Sequence, residues 1–184
     1  MKLFAASLCP IGLASPALAA DHPSVSFMKK VGKDLLFANR QGTVRTFLSA
    51  IQSHADVAGI ADYSLGRYRS KLPAGQKSKY YQGCATFMAR YFAEQSREFE
   101  VAKYEIGEAT VEANKDISVA SKITMLDGKS YNVDWRVAWR GGRYKVLDAK
   151  VLGFSMTYLQ RNIFTDFVGK RKGDVGELIV ALNR

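Results

Sequence analysis

From about Glu98 to Leu152 the apolar residues fall on every second position, whereas on both flanks they recur every three or four. This double switch of period restricts the chain to helices, then a sheet, then helices. Ile117, Val119, Ser121, Ile123 and Met125 alternate with mostly polar neighbours, and Asp127-Gly128 marks a tight hairpin turn. Tyr131, Val133, Trp135, Val137 and Trp139 then alternate with Asn132, Asp134, Arg136, Ala138 and Arg140. Gly141-Gly142 makes a second turn into a strand from Arg143 to about Leu152, and a segment near Val101 to Val111 precedes the whole. The pattern predicts a four-stranded or larger curved antiparallel sheet.

The flanks supply the cover. Val44, Phe47, Leu48 and Ile51 form one helical stripe, and Tyr80, Cys84, Phe87, Met88, Tyr91 and Phe92 another. Gly42, Gly66 and Pro73-Ala74-Gly75 punctuate them. Downstream, Met156, Leu159, Ile163, Phe164, Phe167 and Val168 make a third stripe, and Val175, Leu178, Ile179 and Leu182 a fourth, with Asp174 and Glu177 at capping-box spacing. An α+β fold follows, one sheet face covered by N-terminal and C-terminal helices.

The first residues read as an address rather than structure. One lysine, an apolar run broken by Pro10 and Pro16, and the small-residue site Ala17-Leu18-Ala19 have the layout of an export signal over residues 1–20, cut after Ala19 or Ala20. Cys9 lies inside that run, but Leu8 before it is too large for a lipoprotein site. Removing the signal leaves Cys84 as the only thiol, so no internal disulfide forms and stability must come from a hydrophobic core. Residues 21–184 contain no linker or repeat and are expected to form one domain. The full chain carries +10; the 27 basic residues less Lys2, against 17 acidic, leave +9. The basic residues are scattered, which with export argues against nucleic acid and leaves a bias toward anionic partners.

Catalytic constellations are poorly supplied. Ser155 follows Gly153 at a strand-to-helix junction, but the second glycine of a nucleophile elbow is absent, and the histidines are His22, near the expected mature terminus, and His54. A helix N-cap accounts for Ser155 fully. Cys84 lies on an apolar helical face and reads as core, and the histidines and cysteine have no metal-site spacing, so neither metal nor cofactor is expected. Glu105, Glu108, Glu112 and Asp116 read as solvated surface. What remains is the wide Tyr131, Val133, Trp135, Val137, Trp139 face, whose residue types suit a packed core and a ligand cavity equally.

The C-terminal stretch carries a resemblance. Residues 133–184, in which Lys145, Val146 and Asp148 lead through Gly153-Phe154-Ser155 to Arg161 and Phe164, and then to Gly173-Asp174 and Leu178-Ile179, resemble the MlaC family of periplasmic phospholipid-binding proteins. More weakly, "YSLGRYRSKLPAGQKSKYYQ", residues 63–82, looks like the family's Leu-Gly turn before a Gln-Lys helix. The chain departs from the family's pattern at Leu152, where an acidic residue is common, and near Arg69, where an aromatic is.

The resemblance implies a lipid carrier without catalytic residues, with an apolar pocket between sheet and helices. Its cargo would be a phospholipid or a hopanoid-type lipid. Its partners would be an inner-membrane ABC transporter with an MCE-domain ring and an outer-membrane lipoprotein complex, and its role the upkeep of outer-membrane lipid asymmetry. The expected pocket lining is Phe47, Leu48, Phe87, Tyr91, Val119, Ile123, Tyr131, Val133, Trp135, Val137, Trp139, Val146, Phe154, Leu159 and Phe164. Two other classes compete: a small exported enzyme using Asp134, Asp148 or Tyr131 as acid or base, and an interaction module whose apolar face is only core.

Overall fold

Pro23 opens the first helix, α1 (Pro23–Gln41), where its missing N–H costs nothing, and Gly42 in the left-handed region closes it. The computed structural model describes residues 21–184, so the expected export signal lies outside the described part. His22 is not a loose end: its Nδ1 accepts the Ser24 N–H at 3.2 Å and caps α1. Helix α2 (Val44–His54) starts at Thr43, whose hydroxyl accepts the Thr46 N–H, and α3 (Val57–Leu65) starts at Asp56. A 3₁₀ turn at Gly66–Lys71 and a shorter one at Ala74–Gln76 lead into α4 (Lys77–Gln95).

The sheet follows as β1 (Val101–Val111), β2 (Ile117–Met125), β3 (Ser130–Arg140), β4 (Arg143–Val151) and the two-residue β5 (Phe154–Ser155). The strands pair in sequence order, each antiparallel to the last. Register shifts in β1–β2, and in β3–β4 where Arg136 faces Asp148 and Val137 faces Val146, add twist and bend the sheet. Helices α5 (Met156–Gly169) and α6 (Val175–Leu182) complete the α+β fold. Ser155 Oγ accepts the Tyr158 N–H at 3.1 Å and begins α5. Asp174 caps α6 through the Gly176 N–H at 2.7 Å, but its own N–H is already given to the Arg171 carbonyl, so Glu177 has no reciprocal bond to make there.

The buried side chains gather in three clusters. Tyr80, Cys84, Phe164, Leu178 and Ile179 knit α3, α4, α5 and α6 together. Ala38, Phe47, Ile51, Ala85 and Ala89 join α1, α2 and α4. Met28 and Val31 of α1 press onto Ile117, Val119, Val137 and Val146, sealing one end of the space between sheet and helices. Asp116 departs from its expected place on the solvated surface: it is only 8% exposed, held by Asn114 and lying 3.8 Å from Arg136 and Arg140, which compensate its charge.

Candidate functional site

Beyond that sealed end, sheet and helices part to leave a cavity of about 270 Å³. Its helical wall comes from Val31, Leu35 and Leu36 of α1, Phe47 and Ile51 of α2, and Met88 and Phe92 of α4. Its sheet wall comes from Tyr104 and Ile106 of β1, Ile123 of β2, Val133 and Trp135 of β3, and Val146 and Val151 of β4, with Met156 at the start of α5. The backbone can approach so closely because Gly32 of α1 lies flat on the Tyr104 ring, where any side chain would collide. The Tyr104 hydroxyl donates to the Lys29 carbonyl at 3.0 Å, fastening helix to strand.

The few polar residues in the wall are already engaged. Asn39 donates to the Phe99 carbonyl at 3.0 Å and accepts the Val101 N–H at 3.2 Å. His54 Nε2 meets Asp34 at 2.8 Å. Ser121 Oγ accepts the Trp135 indole N–H at 2.8 Å. Asp148 Oδ1 accepts the Ala149 and Thr157 N–H groups at 2.9 and 3.0 Å, which ties the first turn of α5 to β4. Among the described residues no buried side-chain nitrogen or oxygen lacks a partner. The wall therefore offers an occupant mainly hydrocarbon.

Of the expected lining, the structure brings Phe47, Ile123, Val133, Trp135 and Val146 together around this cavity. Val119 and Val137 instead fill the sealed end with Met28 and Val31. Phe164 and Phe87, ring centroids 5.1 Å apart, lie in the separate cluster between α4, α5 and α6, and Leu48 packs on the α1–α2–α4 cluster. Tyr91, Trp139, Phe154 and Leu159 are exposed, and Tyr131 is half-buried at the strand end. Trp139, near the end of the eleven-residue β3, is 59% exposed and meets its cross-strand partner Tyr144 edge-on. Missing from the expected lining were α1 and β1. Their signals were present, since Met28, Val31 and Leu35 have helical spacing and Tyr104 and Ile106 alternate.

Of the residues weighed as acids, bases and nucleophiles, Ser155 and Asp148 have structural work. Ser155 caps α5, Asp148 holds the same helix, and Asp134 is exposed on the opposite sheet face. Burial pushes the Cys84 thiol up to about 12, away from the thiolate that a nucleophile requires. The Tyr80 hydroxyl is raised for the same reason and donates to the Ala61 carbonyl at 2.8 Å. Lys145 is lowered, first by burial and then by Arg143, in an open groove beside Ala55, whose carbonyl it meets at 3.2 Å.

The sequence model described as "MlaC protein" matches residues 27–184. The chain belongs to the MlaC family. The match takes in the sheet, α2 to α6, and α1 from residue 27 onward. None of the curated proteins matches the chain. Among solved structures, it is similar to the phospholipid-binding protein from Ralstonia solanacearum, solved in complex with a phospholipid. The TM-score is 0.70 at 22% identity, with 89% of this chain and 96% of that one covered, a likeness of fold. No helix of this MlaC-family chain, among the described residues, is long and apolar enough to cross a membrane.

Proposed function

We propose that this protein is a periplasmic lipid carrier that holds acyl chain in the cavity between α1, α2, α4 and the sheet. The observation that carries the reading is the wall itself, hydrocarbon on both sides, with no buried side-chain nitrogen or oxygen left unpaired among the described residues. Family membership and the phospholipid-bound structural relative support it. Two acyl chains contain roughly thirty methylenes at about 0.8 kcal/mol each, so taking a diacyl lipid through water costs on the order of 20 kcal/mol. A carrier between two membranes has to remove most of that cost. No cofactor or reaction is required, since the protein lowers a transfer barrier rather than a bond-breaking one.

The cavity volume of about 270 Å³ is at the small end for ligand pockets. Loading a diacyl phospholipid or a hopanoid-type lipid therefore entails parting α1 and α2 from the sheet. In this reading the cargo passes between an outer-membrane lipoprotein complex and an inner-membrane ABC transporter with an MCE-domain ring, and supports outer-membrane asymmetry. The test is uptake of fluorescent phospholipid from donor vesicles by the wild type and by Ile123→Trp, which places a large ring near the cavity's open end. Wild-type uptake with loss in the folded variant supports the carrier; equal uptake by both, or none by the wild type, overturns it.

A further inference from the structure

The two ends of the cavity differ. One is plugged by Met28, Val31, Val119 and Val137; at the other lie the start of β1, the β2–β3 hairpin and the β4–β5 turn, next to wall residues Val101, Ile123 and Val151. Each of these three segments presents a large apolar side chain to solvent. Phe99 is 42% exposed, Leu126 67%, Leu152 65% and Phe154 64%. Their proximity to the mouth is fixed by backbone bonds. Asn39, a wall residue, holds the Phe99 carbonyl; the Leu126 N–H donates to the Glu100 carbonyl at 2.9 Å; Phe154 pairs with Val151.

Leu152 is the most telling of them. Its φ of 53° lies in the left-handed region, where glycine or asparagine is favoured and leucine is disfavoured. Being exposed, it gains no packing in exchange. Folding therefore supplies no reason for a leucine there, and contact with something outside the protein does.

We propose that these tips form a membrane-docking surface that seats the cavity mouth on the apolar layer of an anionic phospholipid bilayer. The proposal rests on the carrier reading for its purpose, since a mouth pressed into a bilayer lets an acyl chain enter without crossing water. Net charge supports this occupant. The chain without its first twenty residues carries +9, which draws it to an anionic surface over distance. Near the tips Arg97 is followed in sequence by Glu98 and Glu100, Lys150 faces Asp134 across β3 and β4, and Lys129 is paired with Asp127. The apolar tips need no charge of their own in order to insert.

The experiment is co-sedimentation of the mature protein with unilamellar vesicles of phosphatidylethanolamine and phosphatidylglycerol, comparing the wild type with a Leu126→Ser, Leu152→Asn, Phe154→Ser triple variant. Asparagine suits the left-handed position and the other two sites are exposed, so the variant is expected to keep its melting temperature. Its vesicle affinity should fall by at least about tenfold, while native mass spectrometry shows the same lipid occupancy as the wild type. Wild-type protein that fails to bind the vesicles, or a variant that binds as well, overturns the docking surface. That includes binding abolished by salt alone, which would place the contact on lysines, and a loss of affinity only for a protein partner. Lipid-free protein whose vesicle binding still depends on the tips would instead sink the carrier reading and leave the docking surface standing.

Discussion

Ser155 Oγ accepts the Tyr158 N–H at 3.1 Å, and removing that hydroxyl leaves a donor at the start of α5 without its partner. Ser155→Ala should therefore lower unfolding stability by about 1 kcal/mol in denaturant titration, with lipid uptake from vesicles unchanged; lost uptake at full stability would restore a chemical role. Asp148→Ala should cost more, about 2 kcal/mol, because two backbone donors at the β4–α5 junction lose one acceptor. Cys84 gives a pH prediction with a definite sign. Its thiol titrates at about 12 in the folded protein against an ordinary 9.0, so the folded state holds the proton more tightly and stability is lost as pH rises through that window. Alkylation of Cys84 at mildly alkaline pH should follow unfolding, and rapid labelling of the native protein would contradict its burial. These residue roles were partly legible in the sequence: Ser155 as a cap and Cys84 as core follow from local spacing. The capping of α1 by His22 and the burial of Asp116 depend on partners that spacing does not reveal.

At the scale of elements, the contact between α1 and β1 decides whether there is a cavity at all. Gly32 is a poor helix former placed in the middle of α1, and its value is the space it gives the Tyr104 ring. Gly32→Ala gains about 1 kcal/mol of helix propensity but forces the ring or the helix to move, a cost of about 1–3 kcal/mol for overpacking. We expect a net lower melting temperature and reduced lipid occupancy; a higher melting temperature with normal occupancy would mean that α1 does not need this approach. The alternation of β2, β3 and β4 disclosed the strands and hairpins, because one buried face imposes period two. It did not disclose which of its residues face the cavity. Val133 and Trp135 line the cavity while Trp139, on the same alternation, is 59% exposed, a difference nothing in the β3 sequence announces.

For the whole molecule, the residues that line the cavity and those that fill the three clusters are of the same types, so composition could not separate pocket from core. Phe87 and Phe164 meet each other rather than a ligand because α4 and α5 are neighbours, a tertiary fact. The α+β class was legible because two changes of hydrophobic period along one chain leave few other ways to bury both surfaces. The central claim is that the space between sheet and helices holds lipid. It is met most directly by native mass spectrometry of the mature protein, isolated from its own compartment without detergent, with extraction and identification of whatever accompanies it. The account predicts a stoichiometric lipid, phospholipid or hopanoid-type, that is absent from Ile123→Trp. Lipid-free protein that also takes nothing from vesicles would contradict it.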